Sequence, residues 1–185
     1  MSEYRLVIPC LMGVEGLVGN ELRDMGAQNV EPQNGRVFFD GSRANLWSRY
    51  GERVLIQLAE FRAVSFEELF QGVKAIPWER WIGKKEAFPV KGRSLSSKLA
   101  SVPDCQSIVK KAVVERLKAK YGQSWFEETD SLHQIQFLIL KDQVSILLDT
   151  SGAGLHKRGY RANSTEAPIK ETLAAAMVHL SRVRR

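Results

Sequence analysis

Segments with the period of a strand alternate with amphipathic helical segments along most of the chain, and this alternation restricts the fold more than any other feature. Residues 4–9 form the first strand-like segment, and the apolar residues that follow recur at helical spacing until Gly26, which is predicted to end the helix. Two strands then flank Asn34-Gly35, a dipeptide that favours a type I′ hairpin turn with positive φ at both residues. The start of the chain therefore predicts a β-α-β-β order.

A short helix and a further strand complete this first unit. Leu46, Trp47 and Tyr50 predict the helix, and residues 54–61 predict the strand. The resulting order βαββαβ is that of the split βαβ, or ferredoxin-like, unit. Pro32 has no backbone N–H to donate, which places its strand near an edge of the sheet.

A helix and two tryptophans mark the passage to a second unit. Ser65 and Glu68 have the spacing of a capping box, and the helix that they open is predicted to end at Pro77. Trp78 and Trp81 follow three residues apart. We interpret them as packing residues between two units, while a platform for stacking nucleic-acid bases stays the alternative.

The second unit is again predicted to be α/β. A short strand at residues 87–90 precedes a long amphipathic helix that begins after Pro103, and strands at 135–140 and 144–148 form a second hairpin. A last helix begins at Pro168 and carries an apolar stripe for which the chain offers no identified partner. The fold class is therefore α+β.

Composition excludes several classes of protein. The 185 residues are 44% hydrophobic and 26% charged, as in an ordinary soluble globular chain, and no apolar run approaches the ~18–20 residues that cross a membrane. Two cysteines cannot form a disulfide framework or complete a Cys-rich zinc site, and the chain shows no export signal. We therefore expect a cytoplasmic protein with two buried thiols.

Positive charge is concentrated in two blocks. Residues 80–120 contain 11 basic and 3 acidic residues, residues 151–185 contain 7 and 2, and the whole chain has a net charge of +6. Such local blocks favour an anionic partner, of which nucleic acid is the commonest, although a solvated surface stays the alternative.

Catalytic and metal-binding motifs are weak. Gly152 and Gly154 follow a strand, but the dinucleotide-binding fingerprint fails, and the chain has no P-loop. His133, His156 and His179 are scattered without carboxylates or cysteines at ligand spacing, so we expect no metal site. We therefore assign no catalytic residue in this chain.

One region, residues 149–161 and 166–176, combines a glycine-rich turn, a basic and aromatic segment, and a helix that begins at a proline. It can present cations to phosphates beside the stackable ring of Tyr160. Together with the first basic block, it predicts phosphate contacts by Lys91, Arg93, Lys98, Lys110, Lys111, Lys157, Arg158 and Arg161.

Residues 154–161 and 167–176 closely resemble the junction between the THUMP and methyltransferase domains of bacterial ribosomal RNA (23S) guanine-N2 methyltransferases. The resemblance extends through residues 75–78, 88–91 and 13–17, and so covers essentially the whole chain. It implies a ferredoxin-like domain, a THUMP domain that binds structured ribosomal RNA, and a Rossmann-like domain. In that family the last domain transfers a methyl group from S-adenosylmethionine to a guanine amine.

By this resemblance, residues 1–65 form the ferredoxin-like domain, 66–163 the THUMP domain, and 164–185 the start of a methyltransferase domain. The family's cofactor-binding glycines and Asn/Asp-Pro-Pro-Tyr loop follow that last segment, and this chain contains no Pro-Pro pair. We therefore expect an enzyme as the parent protein, and this chain alone to be inactive and to bind no cofactor.

The resemblance also implies positions near the methyl donor in the full-length protein, namely Glu166, Ala167, Pro168 and Lys170. Two alternatives stay open. The chain could be the THUMP region of a transfer RNA modification enzyme, such as a thiouridine synthase or a tRNA methyltransferase, or an independent RNA-binding adaptor. No membrane partner is expected.

Overall fold

The computed structural model describes residues 4–41, 48–157, 159 and 168–182. The strands in this part are β1 Tyr4–Pro9, β2 Gln28–Gln33, β3 Arg36–Gly41, β4 Leu55–Arg62, β5 Val90–Leu95, β6 Ile135–Leu140 and β7 Gln143–Asp149. The α-helices are α1 Glu15–Asp24, α2 Phe66–Lys74, α3 Val102–Tyr121 and α4 Glu171–Leu180, and Trp78–Arg80 form one 3₁₀ turn. The mixed α+β class predicted from the sequence is confirmed. The short helix predicted at Leu46 and Trp47 lies outside the described residues.

The chain divides into two compact units. The first unit comprises Met1–Ile56 and Thr150–Arg185, and the second unit comprises Gln57–Asp149. The boundary on the N-terminal side thus falls within β4. The domain limits drawn from the sequence at 65/66 and 163/164 stay a prediction.

In the first unit, the strands follow the order β2-β3-β1-β4. β1 runs antiparallel to β3 with Leu6 opposite Phe39 and Ile8 opposite Val37. Helix α1 packs its apolar face on this sheet because Val18 and Leu22, four residues apart, are both fully buried. β2 is the edge strand, as the proline in it predicted.

The turn between β2 and β3 differs from the prediction. Gly35 has a φ of 72°, but Asn34 is not among the residues with positive φ, so the predicted type I′ turn is wrong. The Gly35 N–H donates to the Glu15 carboxylate at 2.8 Å, and the other oxygen of Glu15 accepts the Gly13 N–H at 2.8 Å. These hydrogen bonds, that of Gly35 first, lower the pKa of Glu15. Helix α1 therefore orients the turn, which a two-residue motif cannot reveal.

In the second unit, the order is β4-β7-β6-β5. β5 runs parallel to β6, and β6 runs antiparallel to β7. The core of this unit is formed by buried residues of the strands together with those of α2 and α3, among them Leu69, Val113 and Leu117. Trp78 belongs to this core and donates its indole N–H to the Val73 carbonyl at 2.8 Å, so it is a packing residue and no stacking platform.

Strand β5 begins later than predicted. The expected strand at residues 87–90 contributes only an isolated bridge between Ala87 and Leu132, and the strand itself extends from Val90 to Leu95. Gly92 explains the shift, because a Cβ at this position would lie 2.5 Å from the ring of Phe137. The aromatic ring packs directly on the backbone of β5, and the residues around Gly92 therefore lie within the strand instead of following it.

Two predicted helix features can be compared directly with the structure. Ser65 accepts the Glu68 N–H at 3.3 Å, and the Glu68 carboxylate accepts the Val64 N–H at 2.6 Å, which confirms the cap of α2.

Helix α4 buries Thr172 and Ala176. The stripe that the sequence predicted for α4 is exposed: Ile169, Leu173, Met177 and Leu180. No helix among the described residues is long and apolar enough to cross a membrane.

Candidate nucleic-acid interface

Lys91 and Arg93 lie on the outward face of β5. Successive side chains of a strand point to opposite faces, and the alternating exposure of residues 90–95 follows this rule. Val90 packs against the core that includes α2 and α3, so Lys91 and Arg93 point away from those helices. β5 is the edge strand of this sheet, and no described residue forms an ion pair with either cation.

Neighbouring residues give this face an apolar component. Arg93 is opposite Leu138 in the parallel register, and Leu95 is opposite Leu140. Leu95 is 52% exposed and Leu140 is 39% exposed. A surface that combines cations with accessible apolar groups can contact both the phosphates and the sugars or bases of a nucleic acid.

Lys98 follows β5 in a loop that is anchored by Asp142. The backbone N–H of Lys98 donates to a carboxylate oxygen of Asp142 at 2.9 Å, and the Ser97 hydroxyl donates to the same oxygen at 2.8 Å. These hydrogen bonds, followed by the charges of Lys98 and Arg62, lower the pKa of Asp142. The side chain of Lys98 itself is exposed.

Lys110 has internal partners that the sequence did not reveal. Its ammonium lies 2.5 Å from a carboxylate oxygen of Glu128, 3.1 Å from the Phe88 carbonyl oxygen and 3.5 Å from the centroid of the Phe88 ring. The predicted phosphate contact requires an ammonium group without an internal partner, but a loop distant in sequence supplies a carboxylate to Lys110. We therefore leave Lys110 out of the proposed contacts.

Lys111 lies on a different surface from Lys91 and Arg93. It is exposed on α3, and its ammonium is 5.8 Å from the ring of Phe70, which Lys74 also approaches at 5.4 Å. The structure thus brings together the cations of β5 and separates them from those of the helices.

The second basic block is described only in part. Lys157 is exposed, whereas Arg158, Tyr160, Arg161, Glu166 and Ala167 lie outside the described residues. Pro168 is also exposed, and Lys170 forms an ion pair with Glu52.

The first unit has an open cleft of about 480 Å³, and neither Pro168 nor Lys170 lines it. Its lining residues are Arg49, Tyr50, Ala174, Ala175, Val178 and His179. Among the described residues, no group of three or more His, Cys, Asp or Glu could hold a metal ion.

Both cysteines are free and buried, as the sequence predicted. Burial raises the pKa of Cys10 to about 12, and the charges of Glu15 and Glu52 add to this effect. Burial also raises the pKa of Cys105. Neither residue has the thiolate character of a nucleophile at neutral pH.

Two exposed cations were missed by the sequence analysis. Arg62 ends β4, and Lys141 lies in the turn between β6 and β7. Both are outside the dense basic blocks, so local charge density gave no signal for them. Their position near Lys98 follows only from the strand order.

Comparison with known families defines the class of protein. Residues 5–55 match the RlmL ferredoxin-like domain, and residues 63–149 match the THUMP domain. The chain therefore joins an RlmL ferredoxin-like domain to a THUMP domain, and its cationic β5 face lies within the THUMP domain.

The relatives of this chain include RNA methyltransferases that are longer than the chain. The chain is 50% identical, over 98% of its length, to a putative RNA methyltransferase, YpsC, of Bacillus subtilis. It is 32% identical, over 94% of its length, to the ribosomal RNA large subunit methyltransferase K/L of Psychromonas ingrahamii. It spans 49% of the first relative and 24% of the second. The resemblance found in the sequence motifs is confirmed.

Two solved structures have the same fold over nearly the whole chain. A predicted N6-adenine-specific DNA methylase from Listeria monocytogenes is 47% identical with a TM-score of 0.92, and the match covers 99% of this chain and 50% of that one. SMU.472, a putative methyltransferase complexed with SAH, is 41% identical with a TM-score of 0.88, over 99% of this chain and 50% of that one.

Proposed function

We propose that this chain is the RNA-binding part of an S-adenosylmethionine-dependent methyltransferase that modifies the exocyclic N2 of a guanine in large-subunit ribosomal RNA. The observation that carries the proposal is that RNA methyltransferases match the chain over nearly its whole length. Lys91 and Arg93 on β5 of the THUMP domain, which form no ion pair with a described residue, support it. A ribosomal RNA substrate would place the protein in the cytoplasm.

The β5 face would contribute affinity without reading a base sequence. Lys91 and Arg93 donate only N–H groups, which suit phosphate oxygens, and Arg93 can bind a phosphate in a bidentate manner. Contacts to phosphates position a protein on its nucleic acid but carry no direct sequence information. We therefore expect recognition of the shape of a structured RNA.

The reaction itself would require a further domain. Because the chain spans only half or less of these relatives, we propose that the rest of the full-length protein carries the methyltransferase domain. S-adenosylmethionine would supply the methyl group there. Of the residues implied to lie near the donor, Pro168 and Lys170 are described, and Lys170 pairs with Glu52. Because the resemblance places the cofactor-binding glycines in that further domain, we expect this chain alone to bind no cofactor and to be inactive.

RNA binding by the chain can be measured directly. Titration of a helical ribosomal RNA fragment at several ionic strengths should show weak, sequence-tolerant binding, with a log–log salt slope of roughly 0.7–0.9 per phosphate contact. A slope near zero would contradict an electrostatic interface.

The proposed reaction is tested with the complete gene product. Labelled S-adenosylmethionine is incubated with the protein and either ribosomal or transfer RNA, and the nucleosides are then separated. Label in N2-methylguanosine of large-subunit RNA is the expected result. Label in transfer RNA would support the alternative of a tRNA enzyme, label in N6-methyladenine would change the reaction, and no label would favour the adaptor.

A further inference from the structure

Three segments of the second unit meet at one end of its sheet. They are the end of β4 at Arg62, the loop that follows β5, and the turn between β6 and β7 at Lys141-Asp142. The Ala63 N–H donates to the Asp142 carbonyl at 2.9 Å, and the Lys141 N–H donates to the Leu95 carbonyl at 3.2 Å. We call this place the Asp142 corner.

The backbone of the Asp142 corner is strained. Lys141 and Asp142 have φ of 50° and 66°, the pattern of a type I′ turn that asparagine and glycine normally occupy. Ser96, in the loop after β5, also has a positive φ of 51°. Strained conformations persist only when surrounding contacts hold them, and they concentrate at functional sites.

Asp142 supplies the contacts that hold the corner together. One carboxylate oxygen accepts both the Ser97 hydroxyl and the Lys98 N–H, so the carboxylate ties the turn to the loop after β5. The Lys98 N–H is the first cause of its lowered pKa, as expected for a carboxylate that is hydrogen-bonded in its ionised form. The aspartate is thus engaged with a backbone amide and a hydroxyl.

Three cations from distant parts of the sequence remain around this anchor. Arg62, Lys98 and Lys141 are all exposed. Within the part of the chain that the structure describes, none of them forms an ion pair. By contrast, Lys85, Lys110 and Arg116 of the same unit each have a carboxylate partner.

We propose that Arg62, Lys98 and Lys141 bind phosphodiester groups of RNA at the Asp142 corner, and that Asp142 is a positioning residue for this site. This site rests on the proposed function, and it is where the THUMP domain would bind its RNA. Arg93 and Leu95 on β5 lead up to the corner, so an extended polyanion can contact both. A free phosphate ion, by contrast, would bind to the three cations without contacting β5.

The contribution of the three cations is tested by removing their charges together. In the full chain, Arg62→Gln, Lys98→Gln and Lys141→Asn keep polar side chains, and asparagine tolerates the positive φ at 141. RNA affinity should fall tenfold or more, and the salt slope should fall by about 2 because roughly 0.7–0.9 is lost per phosphate contact. The matched control removes the same charge elsewhere, with Lys84, Lys118 and Lys120 changed to Gln, and should lose less than about threefold.

The role of Asp142 is tested by two substitutions that have opposite expected outcomes. Asp142→Gly accommodates the turn but removes the acceptor for Ser97 and Lys98, and should weaken RNA binding about threefold despite the loss of a negative charge. Asp142→Asn retains an acceptor and should bind RNA at least as tightly as the wild type. Weaker binding by both would indicate a purely structural role, and stronger binding by both a purely electrostatic one; either result overturns the positioning role.

The outcomes separate this site from the proposed function. If the wild-type chain binds RNA with a steep salt slope but the corner and control variants lose affinity equally, the corner is not the site and RNA binding stands. If the wild-type chain does not bind RNA, both proposals fail. Competition by inorganic phosphate at constant ionic strength should displace RNA only weakly, and complete displacement at low millimolar concentration would assign the corner to free phosphate.

Discussion

The two units of the molecule use their cationic side chains differently. In the first unit, Arg5, Arg49 and Lys170 pair with carboxylates, while Arg23 donates to the Asn20 side chain and Arg53 donates to the Gly152 carbonyl. In the second unit, Lys110 and Arg116 are paired in the same way. The exposed cations without an ion pair among the described residues of the second unit include Arg62, Lys91, Arg93, Lys98 and Lys141. Carboxylate partners, more than charge counts, separate structural cations from those available to a ligand.

The largest effect is expected in the first unit, where a charge serves the structure. Glu21 is 7% exposed and accepts the Ser48 hydroxyl at 2.9 Å and the Arg49 N–H at 3.0 Å. Glu21→Ala removes a buried carboxylate that accepts from a hydroxyl and a backbone amide, and should lower the free energy of unfolding by about 2–3 kcal/mol. Urea denaturation measures this change.

The control for Glu21 is a carboxylate in an exposed pair. Glu31 contacts Arg5 at 2.7 Å, but its side chain is 58% exposed. Glu31→Ala should change the free energy of unfolding by less than about 0.5 kcal/mol. Equal losses in the two variants would remove the distinction between buried and exposed pairs in this unit.

The second effect concerns RNA affinity. Replacing Lys91, Arg93 and Lys98 together by Ala should weaken RNA binding tenfold or more, on the order of 1.4 kcal/mol. The melting temperature should hardly change, because these side chains are exposed and make no ion pair with a described residue. Fluorescence anisotropy with a helical RNA measures the affinity. An unchanged affinity would show that RNA binds to a different surface of the protein.

The third effect depends on pH. Arg116 donates to both carboxylate oxygens of Glu79, at 3.0 and 2.6 Å, and its hydrogen bonds lower the pKa of Glu79 to about 2. Because the folded-state pKa is depressed, this pair stabilises the protein above the ordinary pKa of 4.5 and ceases to do so as the pH falls toward 2.

Arg116→Gln should therefore lower the free energy of unfolding by about 1 kcal/mol at pH 7. Measured by urea denaturation, the difference from the wild type should shrink between pH 4.5 and pH 2. If the difference in free energy of unfolding between Arg116→Gln and the wild type is constant across this range, the Glu79–Arg116 pair is not the cause of the destabilisation.

The smallest effect on RNA affinity is expected for Lys110. Its ammonium is already occupied by Glu128 and the Phe88 carbonyl. Lys110→Ala should change RNA affinity less than twofold, or about 0.4 kcal/mol, while Lys91→Ala should have a larger effect. If Lys110→Ala weakens RNA binding more than Lys91→Ala does, then an internal ion pair does not indicate which lysines lie outside the RNA interface.

The two hairpins show how far local sequence predicts structure. Both were located correctly from strand-like runs separated by turn residues. Asn34-Gly35 is the stronger turn signal, yet the type I′ geometry occurs at Lys141-Asp142, where neither residue is a glycine. Hydrogen bonds from outside each hairpin decide the geometry, through Glu15 in one case and through Ala63 and Leu95 in the other.

The candidate site was predicted only in part for the same reason. Lys91, Arg93 and Lys98 stand in a dense basic block, so charge counting found them. It could not exclude Lys110, whose carboxylate partner is supplied by a loop beyond the helix, and it could not include Arg62 or Lys141. Periodicity describes the faces of one element but not what packs against them.

The sequence by itself determined the order of the described strands and helices, the buried cysteines, the cap of α2 and the resemblance to ferredoxin-like and THUMP domains. These depend on residue periodicity and on motifs between near neighbours in the chain. The tertiary structure alone decided the start of β5, the geometry of both turns and which cations are neutralised. Each of these depends on groups brought together across the sheet, such as Gly92 with Phe137 and Asp142 with Lys98, where packing and hydrogen bonds override local preference.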